Sequence, residues 1–282
     1  MSEPIFVSSV FHPTDFSEGS HLAFAHALAV ALLRETDLTI LHAGRDFLAE
    51  DEWTKFPAVR RTLESWGCLE PGSPRSAVLE QLNVRVKKVN LRSLRPAAAI
   101  HRYVSEHEID LVVLATEGRE GMPGWLQPSM AESTAREPKL MTLFVPAGGR
   151  GFVDPTTGAI HLSRVLVPVA HEPSARSALV YATRIARFAA KPVEIVLLHV
   201  GDGPAPSLDR PSDPQFRFRE ERRTGNVIDE IERTARELDV DLIAMTTDGR
   251  DGFLGVLGRS SHTEQVVRAA PCPVLAVPVA KV

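Results

Sequence analysis

The chain has 282 residues, 44% of them hydrophobic and 24% charged, with a formal net charge of −4. That length favours two domains, each able to bury its own core, and the charge balance gives no general attraction to nucleic acid or anionic membrane. Two cysteines exclude a disulfide framework and fit a reducing compartment, no run approaches the ~18 apolar residues of a membrane span, and MSEPIFVSSVF lacks a signal peptide's basic and apolar regions, so a cytoplasmic protein is expected.

In chain order, residues 5–11 read as a first strand that runs into His12-Pro-Thr-Asp-Phe-Ser-Glu18. Residues 20–33 follow as a helix with Leu22, Ala25, Ala29, Leu32 and Leu33 on one face. Strands are expected over 37–42 and, alternating in character, over 84–91. Pro96 opens a helix to about His107, at the first-turn position where proline is tolerated. An apolar strand over 109–115 leads to a glycine loop from Thr116 to Gly124. Then come a Ser-x-x-Glu capping box, Ser129 to Glu132, and a strand over 141–145.

The second half repeats this order. Strands are expected over 165–169, 193–200 and 216–220, with helices over 175–188 and 226–238. The strand over 241–245 ends in Thr246, Thr247 and Asp248. A loop with Gly249, Gly252, Gly255 and Gly258 follows, then a second capping box, Ser261 to Glu264, a short helix and a buried strand over 274–277. Matching positions are Pro13 with Pro168, His42 with His199, Asp110 with Asp241, Gly118 with Gly249, and Pro146 with Pro278. A period this long implies two homologous domains rather than a solenoid. The boundaries expected are 1–147 for the first domain, a glycine-rich linker over 148–162, and 163–282 for the second. A helical insertion near 45–75 distinguishes the first. It includes a helix from about Ala58 to Gly67 that packs over its own domain or forms a subunit contact.

Strands alternating with helices give a parallel sheet covered on both faces, with ligands held outside the carboxyl ends of the strands. A strand, a glycine loop and a helix N-terminus suit an anion, because free N–H groups and the helix dipole point the same way.

The stretches HPTDFSEGSHLAFAHALAVA in the first half and GRDGFLGVLGRSSHTEQVVRAAPCPVLAVP in the second resemble the universal stress protein family. The duplication makes the chain similar to a tandem member, and the resemblance covers nearly all of it apart from the insertion and linker. It implies an α/β fold of two tandem doubly wound domains, each a five-stranded parallel sheet with helices on both faces. The domains would pair through their last strands, 142–145 against 274–277, across a pseudo-twofold axis. It also implies ATP or another adenine nucleotide as ligand, Mg2+ only alongside ATP, and a homodimer whose two domains pair internally. No nucleic-acid or membrane partner is implied.

Nucleotide-binding members carry an acidic residue after the first strand and a loop of the form G-x-x-G, nine residues, then Gly-Ser or Gly-Thr. On the matching positions the first half offers Thr14, Asp15, Gly118, Gly121 and Ser129, but Pro128 lacks an N–H at the phosphate end. The second half offers Val169, Ala170 in place of the aspartate, Thr246 and Gly249 in the loop frame, Gly252, Ser260, Ser261 and Thr263. The second half is the expected binder. The alternative is that both sites are degenerate and the chain acts through its dimer surfaces.

Plainer roles compete at several of these positions. Asp15 either accepts hydrogen bonds from an adenosine moiety or caps the helix that begins nearby. For Ser129 capping suffices, while for Ser261 capping and phosphate contact are equally open. Gly249 and Gly252 permit close approach of a phosphate or simply a positive φ. His42 and His199, one per half, read as structural; His12 and His171 lack metal-site spacing. Arg119 and Arg250 read as surface residues. With no Walker lysine, no Gly-x-Ser-x-Gly elbow and no nucleophile–base pair, catalysis is not supported, at most a slow ATPase.

Overall fold

The computed structural model describes residues 7–45, 50–116, 140–247 and 262–279. In the first half, β1 (Ser9–Pro13) leads through α1 (Glu18–Arg34) to β2 (Asp37–Gly44). A 3-10 helix (Glu50–Lys55), α2 (Val59–Ser65) and α3 (Ala77–Leu82) precede β3 (Val86–Arg92), α4 (Pro96–Glu106), β4 (Leu111–Thr116) and β5 (Met141–Pro146). The second half holds β6 (Arg164–Pro168), α5 (Arg176–Ala186), β7 (Val193–Val200), β8 (Phe216–Arg223), α6 (Val227–Glu237), β9 (Leu242–Thr247), α7 (His262–Ala269) and β10 (Val274–Pro278).

The strands form one sheet, ordered β3-β2-β1-β4-β5-β10-β9-β6-β7-β8. Neighbours within each half are parallel. The halves meet antiparallel, with Val274 opposite Phe144, Leu275 opposite Leu143 and Ala276 opposite Thr142. This is the pairing of last strands that the family resemblance implies. Strand order reverses at β1/β4 and again at β6/β9, which places a switch point in each half.

The strand pattern explains the two layers. Val10, Leu38, Ile40 and Val113 point to a core shared with α1 and α5. Their neighbours Phe11, Leu41, Val112 and Leu114 point to the opposite core with α4, α6 and α7. On a sheet covered on both sides, the central strands β4 and β5 are buried at every position, and all but Thr116 and Thr142 are apolar.

The matched aspartates do the same work in each half. Asp110 accepts from the N–H of Ser8 at 2.8 Å, and Asp241 accepts from the N–H groups of Ser163 and Arg164 at 2.7 and 2.9 Å. Each carboxylate therefore ties the start of its β4-type strand to the start of the adjacent first strand.

Several element bounds differ from the sequence reading. β1 lies later than expected and ends at Pro13, the last position before the chain leaves the sheet, where a missing N–H costs little. β8 continues past Glu220 to Arg223, because its pairing with β7 runs on to Val200 and an edge strand can leave charged side chains in water. In the insertion, the expected helix narrows to Val59–Ser65, with Gly67 at φ 70, and α3 is an additional element. Phe56, Val59, Leu63 and Val78 join the core around α1. The insertion thus packs over its own half.

The glycine-rich stretch between the halves is bolted down. Trp66 of the insertion donates its indole N–H to the Pro155 carbonyl at 3.0 Å. His26, buried on α1, donates from Nδ1 to the Leu22 carbonyl at 2.8 Å, which leaves Nε2 to accept the N–H groups of Phe152 and Val153 at 3.1 and 3.3 Å. A Cβ at Gly151 would strike the His26 ring, so this approach needs glycine. Toward the second half, Arg150 pairs with Asp239 at 2.8 Å and Asp241 at 2.9 Å. Among the described residues, no helix is long and apolar enough to cross a membrane.

Candidate functional site

Each half presents its β1-type turn beside the end of its β2-type strand, and both turns are held alike. The N–H of Thr14 donates to the Leu41 carbonyl and the N–H of Val169 to the Leu198 carbonyl, each at 2.8 Å. In return His42 donates from Nδ1 to the Thr14 carbonyl at 2.9 Å, and His199 to the Val169 carbonyl at 3.0 Å. A carbonyl can only accept, so the proton sits on Nδ1 in both rings. The structural role expected of these histidines is this clamp. It also makes Thr14 the counterpart of Val169, and Asp15 that of Ala170.

Beyond the clamp the halves diverge. In the first, Asp15 does not cap α1, contrary to one of its expected roles. The cap is Ser17, whose Oγ accepts the Ser20 N–H at 3.2 Å. Asp15 Oδ1 instead accepts from the N–H and Oγ–H of Ser17 at 3.0 and 2.6 Å, holding the cap in place. Beneath the turn lies a buried chain of hydrogen bonds. His12 donates from Nδ1 to the Val113 carbonyl at 3.0 Å. Its Nε2 accepts from the Ser20 hydroxyl at 3.4 Å, the Ser20 oxygen accepts from Thr14 Oγ1 at 2.8 Å, and Thr14 Oγ1 accepts the Phe16 N–H at 3.1 Å. Burial lowers the His12 pKa to about 4, which keeps the ring neutral and able to accept. Thr14 is therefore committed to the scaffold. Phe16, at φ 67, stacks on His42 at 4.3 Å and meets Phe56 of the insertion edge-on at 5.3 Å.

The second half opens a cleft of about 400 Å³ at the carboxyl ends of β6, β7 and β9. Its walls include Val169, Ala170, Glu172 and His199 on one side, with Thr246, Thr247, His262 and Thr263 on the β9–α7 side. Val227 and Ile231 of α6 add apolar surface. Thr246 Oγ1 accepts the Ala178 N–H at 3.2 Å, so it joins the end of β9 to the first turns of α5 while its hydroxyl proton faces elsewhere. The volume lies within the range of small-molecule sites, roughly 300–1,000 Å³, and the mix of apolar walls with a few convergent polar groups matches them too.

Of the residues picked out in the sequence, the structure thus brings together Val169, Ala170, Thr246 and Thr263 in one cleft, and Thr14 with Asp15 in one turn. Gly118, Gly121, Ser129, Gly249, Gly252, Ser260 and Ser261 lie outside the described residues. Glu264, expected from the sequence as a capping-box carboxylate, pairs with Arg268 at 2.6 Å, and the other end of that box, Ser261, lies outside the described residues. Cys272 is buried, and its thiol is pushed up to about 12 by desolvation, the inert state expected of it. Among the described residues, no cluster of three or more His, Cys, Asp or Glu side chains could hold a metal ion. Glu172 in the cleft was not anticipated, because its approach depends on where α5 begins.

A mostly parallel sheet covered by helices on both faces, with its strand order reversing once in each half, defines a doubly wound α/β protein. The family model of the universal stress protein family matches residues 9–146 and 207–278. The chain belongs to that family. Among solved structures it is similar to a universal stress protein from Archaeoglobus fulgidus DSM 4304, at 16% identity with 96% of each chain covered and a TM-score of 0.58. It is likewise similar to a protein of unknown function from Pseudomonas aeruginosa PAO1, at 17% identity, covering 97% of this chain and 93% of that one, with a TM-score of 0.53. A universal stress protein solved in complex with cAMP aligns over 50% of this chain and 97% of its own, at 22% identity and a TM-score of 0.28. Comparison with curated protein sequences gives no match.

Proposed function

We propose that the chain is a cytoplasmic universal stress protein that holds an adenine nucleotide in the cleft of its second half, with Mg2+ entering alongside ATP. The observation that carries this reading is the 400 Å³ cleft at the switch point, lined by Thr246 and Thr247 at the end of β9 and by Thr263 in the first turn of α7. Gly249, Gly252, Ser260 and Ser261 belong to the phosphate end of the site, Val169 and Ala170 to the nucleoside end. The first-half set, Thr14, Asp15, Gly118, Gly121 and Ser129, is the weaker copy, since Thr14 is spent on the scaffold and Asp15 on Ser17. The domains divide at 1–147 and 163–282, and two copies form a homodimer.

The test is to denature the purified chain and assay the supernatant for ATP, ADP and AMP, then add ATP to stripped protein and follow its melting. Nucleotide at a hundredfold over Kd stabilises by about 2.7 kcal/mol, a rise of roughly 5 °C or more for a chain of this size. Neither released nucleotide nor any rise would defeat the reading.

A second reading, an interaction protein with both sites degenerate, is favoured by one observation. Trp53 stands 40% exposed on the insertion, stacked on buried Phe56 at 5.2 Å. It predicts that Trp53→Ser changes the mass in solution while nucleotide affinity stays at zero.

A further inference from the structure

Counting from the clamped carbonyls of Thr14 and Val169, the residue three places on is Ser17 in the first half and Glu172 in the second. The two have different surroundings. Ser17 caps α1, which begins at once with Glu18. α5 begins only at Arg176, and its N-cap, Ala175, makes no side-chain cap bond. The later start lengthens the turn and releases position 172 from the helix end. His171 faces away toward the Pro204 carbonyl, with Nε2 at 3.2 Å. Glu172 lines the cleft instead.

This matters because of what the cleft otherwise lacks. Ala170 has no acceptor where the first half has Asp15. Among the described lining residues, Glu172 is the one carboxylate. The polar residues lining the β9–α7 side are Thr246, Thr247, His262 and Thr263, at the start of α7, a side suited to an anion. The cleft is therefore polar in two senses: an anion-accepting side on β9–α7 and a donor-accepting side on the β6–α5 turn.

We propose that Glu172 is a ligand-binding residue of the second half. Its carboxylate accepts hydrogen bonds from the donors of the bound nucleoside, either ribose hydroxyls or the amino group of the base. The assignment rests on the nucleotide reading of the cleft and fixes the ligand's direction, with phosphate toward α7 and nucleoside toward the β6–α5 turn.

The sign of the effect separates this role from a bystander charge. A carboxylate that merely stood near the cleft would repel the phosphates, so neutralising it would leave ATP affinity unchanged or improved. A carboxylate that accepts nucleoside donors contributes a charged hydrogen bond, and its loss weakens binding about tenfold to a hundredfold.

The experiment titrates ATP, 2′-deoxyATP, 3′-deoxyATP and ITP into stripped wild-type chain and into Glu172→Gln and Glu172→Ala. Circular dichroism serves as the check that the variants fold, as expected for an exposed side chain. The expected result is at least tenfold weaker ATP binding in both variants, together with loss of discrimination against one analogue class. Loss of the deoxy discrimination assigns the ribose hydroxyls, and loss of the ITP discrimination assigns the base amino group. Wild-type binding with unchanged or tighter ATP affinity in the variants, or weakening equal for every analogue, overturns the role of Glu172 and leaves the nucleotide reading standing. A wild-type chain that binds none of the four overturns both.

Discussion

His26 offers the sharpest test of how the two halves are joined. Its Nε2 is the acceptor for the N–H groups of Phe152 and Val153, and the ring is fully buried. His26→Leu keeps most of the volume but orphans both donors, at about 1–3 kcal/mol each, so a loss of roughly 2–6 kcal/mol is expected at neutral pH. The same geometry makes the joint acid-sensitive. Burial lowers the His26 pKa from 6.5 to about 4, against a smaller opposing contribution from the bond to Leu22. Between those values the unfolded chain binds a proton that the folded chain refuses, so stability rises with pH. The contribution is fully present above about pH 6.5 and is lost as pH falls toward 4, at about 2 kcal/mol by pH 5 and about 3 kcal/mol in full. Urea unfolding followed by circular dichroism at pH 7.5, 6 and 5 reads both effects. His26→Leu should be weaker than wild type at pH 7.5 and lose less on acidification. His12, with its pKa also about 4, keeps some acid dependence in the variant. Equal falls for wild type and His26→Leu between pH 7.5 and 5 would refute the reasoning.

Two further perturbations test the scaffold. Asp110 and Asp241 serve equivalent strand starts, yet Asp241 is largely sheltered and also holds Arg150, while Asp110 is exposed. Asp241→Ala should cost about 2–4 kcal/mol and Asp110→Ala clearly less, by chemical denaturation; equal costs would show that the Arg150 joint contributes nothing. Gly158 sits at φ 71 under the Trp66 ring, where a Cβ would collide. Gly158→Ala should destabilise by about 1–3 kcal/mol through backbone strain and displacement of Trp66, and an unchanged melting temperature would remove the linker–insertion contact from the account.

The repeat and the parallel character of each half were legible because they depend on period and spacing, while the pairing of the last strands followed from the family resemblance. Apolar runs such as Leu111–Thr116 and Met141–Pro146 can hardly be anything but central strands. The edge of the sheet was less legible. Asp15 reads as a helix cap in sequence, yet Ser17 takes that place two residues later, a choice made by the turn geometry around Phe16 at its positive φ. His26 looks like any helix residue, since its partners Phe152 and Val153 are remote in the chain and bond through backbone N–H groups that leave no mark in the sequence. Glu172 was hidden for a related reason: whether it faces the cleft depends on α5 beginning at Arg176 rather than in line with α1. The insertion read correctly as helical around Val59–Ser65, but its seat against the linker through Trp66 and Pro155 is a long-range contact.

On the proposed function, the working site lies in the second half. Calorimetric titration of ATP into the stripped chain, beside Ala170→Trp and Asp15→Ala, tests it most directly. Ala170 lines the cleft, so a tryptophan there fills the site, whereas Asp15 belongs to the other half. The expected result is one site per chain in wild type, retained in Asp15→Ala and abolished in Ala170→Trp. No binding to wild type, or binding that survives Ala170→Trp and disappears in Asp15→Ala, would contradict it.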